Sequence, residues 1–355
     1  MKPFFSIIMA CCNVEPYIRE AMDSVMKQSF GDWECICGIE ESKDRTEEIL
    51  QEIAAGEPRI RIFTHPRSGS CSATRNIGID MSRGKYVIFL DGDDTIADGC
   101  LARLYDRICA KPDADLYPCV ILAYNEMTGE KETRDNYPAD APAEMSGTDA
   151  TVLIEGYKGI PCSMLQMTVF RREFLVEHDL KCIYGLRRQD SEFSPRALYL
   201  AKRVVPLHEP FYLYRMNQSS VSYSARGAGY FHKDWAIILK SLLSFYGSVS
   251  REPDFDRRVE SCWRRQWFSL LLYFWFDPTQ INSIPRQKRL ETLGQLFSDG
   301  FGDFNAFMKN APFSKRVAGW WIRAFVRHSS MRGIGELFFK MYFSLSKRTT
   351  ASHVS

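Results

Sequence analysis

A chain of 355 residues is long enough for one large domain or two ordinary ones with a substantial buried core. Apolar residues make up 45% and charged residues 25%, a globular composition that excludes a disordered chain. The formal net charge of +2 gives no global signal for nucleic acid, so the uneven placement of charge along the chain carries more information. The eleven cysteines are odd in number, lack paired Cys-X-X-Cys spacing, and in several cases sit in apolar strand-like runs. A reduced compartment is expected, and a disulfide framework is not.

The N-terminal run Phe4 to Met9 is too short for a membrane span and is followed by no signal-cleavage pattern, so it reads as a first buried strand through Ile7–Ala10. A helix is predicted over Glu15–Gln28, with Ile18, Met22 and Val25 on one face. Strand signal returns at Trp33–Ile39. Asp44 with Glu47 then forms a capping-box pattern ahead of Ile49, Leu50 and Ile53. A third strand is predicted over Arg59–Phe63, a helix over Ser70–Met81, and a strong buried strand over Lys85–Leu90 that runs into Asp91-Gly92-Asp93-Asp94. Leu101–Ile108 begins another helix, residues 111–122 read as one strand, and 125–148 as a polar excursion. This alternation predicts an α/β fold with a mostly parallel sheet and helices on both faces. In such sheets ligands gather at the carboxyl ends of the strands, where Asp91 falls.

Three carboxylates at the tip of a buried strand repel one another and are costly to hold without a cation. Oxygen ligands suit Mg²⁺ or Mn²⁺, and Mg²⁺ commonly completes its shell with water and phosphate oxygens. Gly92 permits a tight turn and close approach of a ligand. The structural alternative is an Asp/Gly loop that caps the next helix.

Four motifs occur in order: Phe5 to Glu15, Ile39 to Asp44, Ser72 to Gly78, and Phe89 to Asp94. Together they resemble the nucleotide-sugar-binding half of the inverting family 2 glycosyltransferases, which have the GT-A fold and assemble bacterial cell-surface polysaccharides. The resemblance covers residues 4–110 closely and returns at 184–222. It implies that Ala10, Cys12, Asn13 and Glu15 at the first strand end, with Glu40, hold the base and ribose of a nucleotide-sugar donor, a UDP-sugar being expected. Arg75 and Gly92 would lie near the donor, Asp91 would face the ribose, and Asp93 would bind the metal bridging the diphosphate. A cation there neutralises charge building on the leaving group. The family usually has Pro at Ala10, Tyr at Cys12 and an Asp-Asp-Gly-Ser run at Ile39–Ser42, so another side chain must cover the base. Arg75 as a surface ion pair and Glu40 as a solvated turn residue are the structural alternatives.

Tyr184 to Phe193, followed by Val204 to Arg215, is similar to the acceptor-side motif of the same family. The matching general base is Asp190, with Gln189 in place of a usual Glu and Glu192 as the other candidate. An attacking hydroxyl must lose its proton, so a carboxylate within hydrogen-bond reach is required. Asp190 as a helix N-cap is the competing reading. By resemblance, Arg215 and the polar loop after it would close over the diphosphate.

Two domains are expected, 1–224 catalytic and 225–355 helical, basic and aromatic. The run Trp263 to Phe276 is apolar but too short to span a bilayer. Further on, Lys309, Lys315, Arg316, Arg323, Arg327, Arg332, Lys340, Lys347 and Arg348 face the single acid Glu336, with aromatic residues interleaved. That mixture suits a helix in an anionic membrane interface, or an aromatic core stripe with a basic solvated face. No nucleic-acid recognition motif accompanies it. The resulting expectation is a metal-dependent, inverting hexosyltransferase-like enzyme. It would act on a glycan or lipid-linked glycan acceptor, in the cytoplasm or peripherally on the cytosolic face of a membrane. A catalytically inactive nucleotide-sugar-binding homologue is the rival. A nucleotidyltransferase is disfavoured because Cys11 to Glu15 stands where a Gly-rich, basic phosphate loop would be.

Overall fold

Strand β1, Phe5–Cys11, is covered on both faces, and its side chains sort by parity. Phe5, Ile7, Met9 and Cys11 enter one core, while Ile8 enters another. Strand β4, Tyr86–Asp91, does the same: Tyr86, Ile88 and Leu90 face the first core, Val87 and Phe89 the second. Burial on both faces is why these strands read as unbroken apolar runs. The first core is closed by α1 (Ile18–Met26), α2 (Thr46–Gly56) and α4 (Cys100–Ala110). The second is closed by α3 (Ser72–Met81), α5 (Gly147–Lys158), α6 (Arg172–Glu177) and α7 (Gln189–Leu200).

This computed structural model describes residues 2–158, 165–217, 225–276 and 285–297, with isolated positions between 304 and 324. The chain divides into two units, Met1–Tyr223 and Ser224–Ser355. In the first, β2 (Trp33–Glu40), β3 (Ile60–His65), β6 (Leu116–Pro118) and β9 (Thr168–Arg171) complete a six-stranded sheet of order β3-β2-β1-β4-β9-β6. The first four strands are parallel, and β9 runs antiparallel to both its neighbours. A second sheet, β5-β10-β7-β8, is built from β5 (Thr95–Ile96), β7 (Val120–Asn125), β8 (Lys131–Arg134) and β10 (Pro210–Met216).

The expected strand over 111–122 is thus two strands in two sheets. Pro118 has no N–H with which to extend the β6 ladder. At Cys119 the backbone donates to Met167, and one residue later Val120 donates to Glu209, so pairing passes from β9 to the β10 side. The polar excursion 125–148 contains β8, which forms a hairpin with β7.

The helix expected from Glu15 begins at Ile18, because Asn13 adopts a positive φ of 52° and Tyr17 and Ile18 both donate to the Val14 carbonyl. Of the expected capping box, Asp44 does bind the start of α2, and it also takes part in an exchange between the two loops. Asp44 accepts from the Glu15 N–H at 3.0 Å, Thr46 Oγ1 from the Val14 N–H at 2.9 Å, and the Glu15 carboxylate from the Arg45 N–H at 3.0 Å. Asp44 Oδ1 also accepts from the Thr46 N–H at 3.1 Å, so the carboxylate serves the start of α2 locally while its other oxygen ties the β1 and β2 ends together. Glu47 pairs instead with Gln51.

In the second unit, α8 (Ala225–Val249) packs on α9 (Arg258–Phe276) and on α10 (Arg286–Leu296). Trp263 stacks on Tyr246 with centroids 4.1 Å apart, and the Trp267 indole N–H donates to the Leu239 carbonyl at 3.0 Å. Trp263, Trp267, Phe268 and Leu271 are buried, so these members of the aromatic run are core. Among the described residues no helix is long and apolar enough to cross a membrane. Of the basic residues singled out beyond 308, Lys309, Arg316 and Arg323 are described; the others lie outside the described residues.

Helix α3 lies against β1 at Gly78, where an added Cβ would stand 2.3 Å from Ile8 Cγ2. A helical Gly→Ala change ordinarily gains about 1 kcal/mol. Here overpacking dominates, and Gly78→Ala is expected to destabilise by about 2 kcal/mol, read as a lower urea midpoint.

Candidate active site

Period-two alternation places Asp91 on the same face of β4 as Val87 and Phe89, the face that α3 covers. There its Oδ1 accepts from Arg75 NH2 at 2.8 Å. The Arg75 side chain is only 2% exposed, and its guanidinium lies 5.8 Å from the Phe89 ring centroid. Burial works against the Arg75 charge, but the neighbouring Cys71 and Asp91 outweigh it and hold the guanidinium protonated. The second Asp91 oxygen accepts from Gln166 Nε2 at 3.0 Å, and the Asp91 N–H donates to the Tyr212 hydroxyl at 3.2 Å. Sequence reasoning missed Gln166, 75 positions from Asp91 and marked by no local pattern; Tyr212, 121 positions away, lies in the stretch ending at Arg215 that resembles the family, but nothing local signals its bond to the acidic turn.

The turn after β4 is tight. Gly92 donates to the Ala10 carbonyl at 2.9 Å, and a Cβ on it would sit 3.0 Å from Val14 and 3.1 Å from that carbonyl. Ala10 pairs in register with Asp91, so the ends of β1 and β4 adjoin. Asp94 is buried and accepts from the Tyr212 hydroxyl at 2.6 Å and the Arg215 N–H at 2.7 Å, which ties the turn to β10. Asp93 is left partly open. Burial and then the Asp91 charge push its carboxyl up to about 6, against the pull of Arg215 and Asn217. A carboxyl held above its ordinary range beside like charges gains from a cation, and these hard oxygens fit Mg²⁺ or Mn²⁺. Among the described residues no group of three or more His, Cys, Asp or Glu side chains converges on one point. A metal held here by Asp93 would therefore take further ligands from water and substrate phosphates.

The β1 and β2 ends form the neighbouring wall. Cys11 pairs with Ile39, so Cys12 stands beside Glu40. Glu40 Oε1 accepts from the Ser68 N–H, from Ser68 Oγ at 2.9 Å and from the Gly69 N–H at 2.7 Å. Burial alone would raise the Glu40 carboxyl, but the Gly69 and Ser68 donors bring it below its usual range. Glu40 thereby orders the loop between β3 and α3, a partnership no sequence signal predicted. Burial and the Glu40 charge push the Cys12 thiol up, so it stands as a neutral group. Asn13 is exposed. It donates through its N–H to Ser42 Oγ at 3.1 Å and accepts from the Lys43 N–H at 2.8 Å, fastening the two loops together. Glu15 points to the α2 start, as described above.

Helix α3 also carries the loop that leads into α7. Asn76 exchanges two hydrogen bonds of 2.8 Å with the Cys182 backbone, Gly185 donates to Ser72 Oγ at 2.9 Å, and Gln189 donates to Cys71 Sγ at 2.7 Å. Asp190 follows in the first turn of α7, whose N-cap is Arg188. Among the described residues the Asp190 carboxylate has no hydrogen-bond partner, and it is partly exposed. The other candidate base, Glu192, is 1% exposed and binds Arg196 through both oxygens at 2.7 and 2.8 Å. Arg215 meets Asp93 at its backbone: Nε donates to the Asp93 carbonyl at 3.1 Å. The polar loop from 218 to 222 lies outside the described residues.

Comparison with known proteins agrees with this architecture. Residues 6–178 match the family model for glycosyl transferase family 2. Residues 6–178, within the N-terminal unit, therefore form a glycosyl transferase family 2 domain. It is 30% identical over 224 residues to the uncharacterized glycosyltransferase EpsJ of Bacillus subtilis, a match covering 62% of this chain and 64% of that one. It is 31% identical over 228 residues to the putative glycosyltransferase EpsH of the same species, covering 62% of each. The matches thus span less than two thirds of those relatives' lengths. Among solved structures it is similar to residues 1–349 of TarS from S. aureus, with a TM-score of 0.67 at 17% identity, covering 96% of this chain and 92% of that one. The fold is the GT-A arrangement.

The acidic turn has a cost measurable without ligand. Asp93 binds its proton more tightly folded than unfolded, so the metal-free protein loses stability as pH rises from about 4 through 6. Asp93→Asn should raise the metal-free stability at pH 7.5 by about 2 kcal/mol, with the gain vanishing near pH 4, followed by denaturant unfolding across pH.

Proposed function

We propose that this protein transfers a sugar from a nucleoside-diphosphate donor to an acceptor hydroxyl with inversion at the anomeric carbon. The observation that carries the reading is a division of carboxylates. Asp91, Asp93 and Asp94 are gathered at the β4 end, whereas Asp190 stands apart without a partner among the described residues. The family match and the GT-A fold support a nucleotide-sugar donor. The TarS relative has been solved in complex with UDP-GlcNAc and with UDP, which supports a uridine nucleotide.

In this mechanism the ends of β1 and β2 hold the nucleoside, with Cys12 and the Glu40-ordered loop as its walls. Arg75 holds the Asp91 carboxylate in place, oriented toward the ribose. A Mg²⁺ or Mn²⁺ ion on Asp93 would neutralise charge on the departing diphosphate. Asp190 accepts the proton of the attacking hydroxyl as the new bond to the anomeric carbon forms and the bond to the phosphate oxygen breaks. A single displacement needs no covalent sugar–enzyme intermediate. A glycan or lipid-linked glycan in polysaccharide or glycolipid assembly is the proposed acceptor, and the basic, aromatic stretch beyond 308 would bring the protein to the cytosolic face of an anionic membrane.

With UDP-sugars and Mn²⁺, wild type should show a thermal shift and turnover. Asp190→Asn should retain the shift while losing about 10³-fold in kcat. Wild type that binds donors but turns over none, across a broad acceptor panel, would establish the inactive-homologue reading instead. Removal of residues 310–355 should release the protein from anionic vesicles in a sedimentation assay. Unchanged binding would discount that stretch as the anchor.

A further inference from the structure

We propose that Arg215 is a positioning residue that sets the Asp93 turn and does not grip the donor diphosphate; this rests on the metal–nucleotide reading above. Its side chain is 9% exposed, and every nitrogen has a partner. The backbone N–H donates to Asp94 Oδ1 at 2.7 Å, Nε to the Asp93 carbonyl at 3.1 Å, NH1 to Glu126 at 3.2 Å and NH2 to Glu20 at 2.5 Å. The guanidinium also lies 4.9 Å from the Tyr17 ring centroid and 5.1 Å from that of Tyr124.

A guanidinium is a rigid planar fork, so fixing its plane fixes where each N–H points. Here two tyrosine rings pack near the guanidinium, and the carboxylates of Glu20 on α1 and Glu126 after β7 each hold one of its terminal nitrogens. What remains is Nε, aimed at the carbonyl of the residue that would hold the metal. The peptide after Asp93 is thereby held from one side by Nε, while the next residue is held from the other by the Arg215 N–H and the Tyr212 hydroxyl. To reach a phosphate, Arg215 would surrender two charge-assisted bonds, both ring contacts and the bond that orients Asp93. Its positive charge already serves the acidic turn where it stands.

Two readouts test this: the Mn²⁺ concentration for half-maximal UDP binding, and hydrogen exchange in the ligand-free protein. Glu20 and Glu126 are substantially exposed, so the double variant E20Q/E126Q loosens the guanidinium without touching the turn. It should raise the Mn²⁺ requirement about fivefold and leave UDP affinity at saturating Mn²⁺ unchanged. Arg215→Lys, which keeps charge but loses the fork, should raise the requirement about tenfold. A phosphate grip predicts the reverse: E20Q/E126Q frees the guanidinium and tightens UDP, while Arg215→Lys weakens UDP even at saturating Mn²⁺. Either result would overturn the proposal. In the ligand-free double variant, the amides of Gly92 and Asp94 should exchange faster while those of β1 do not change; unaltered exchange there would also overturn it. Because that measurement needs no ligand, it decides the role of Arg215 even in a protein with no Mn²⁺-dependent UDP binding, a result that counts against the functional reading alone.

Discussion

A buried guanidinium must be neutralised where it stands, and the packing of Arg75 against Asp91 is the constraint around which the first unit is arranged. Arg75 is enclosed between α3 and β4, while the side chain of its partner remains 25% exposed at the strand end. The pair fixes α3 at the carboxyl edge of the sheet, and α3 holds the loop that leads into α7 through Asn76, Ser72 and Cys71. One helix thus determines the placement of the acidic turn on one side and of Asp190 on the other. Its close seat on β1 requires the bare backbone of Gly78.

The opposite side of the acidic turn is governed by a strand from another sheet. β10 pairs with β5 immediately after the turn, and that register delivers the Tyr212 hydroxyl and the Arg215 guanidinium to Asp91, Asp93 and Asp94. Each of the three carboxylates is distinguished by its partners. Asp91 is paired with Arg75, Asp94 is buried and engaged by Tyr212 and the Arg215 N–H, and Asp93 is the more open of the two carboxyls that burial and neighbouring charge push up. Carboxyls gathered and buried in this way carry a stability cost in the absence of a compensating charge.

The strands, the helices and the acidic strand end were legible in the sequence because each has a local signature: a period of two, a period of about 3.6, or an apolar run ending in carboxylates. Ordered motifs added the family. Other features were not legible, for equally physical reasons. Strand 111–122 looked continuous because apolarity does not say which sheet a residue joins; Pro118 and the change of partner at Cys119 divide it. The pattern at Asp44 is local and its bond to Thr46 is there, but Asp44 and Glu15 also bind each other's loops across two strands, which no local pattern signals. Gln166 and Ser68 carry no motif, and their partnerships, like the bond of Tyr212 to the acidic turn, exist only through contacts made by residues far apart in the chain.

By itself the sequence determined the α/β class, the order of its elements and a carboxylate-rich strand end, since each follows from composition or spacing within a short window; Asp190 as a separate acid came from the family resemblance. Tertiary structure decided which groups are free and which are already engaged. It pairs Glu192 with Arg196 and leaves Asp190 open, turns Glu15 toward a helix start, and sets Arg215 between two tyrosines against the Asp93 carbonyl. The reason is that hydrogen-bond satisfaction is settled between distant segments, at the point where each buried donor must find its acceptor.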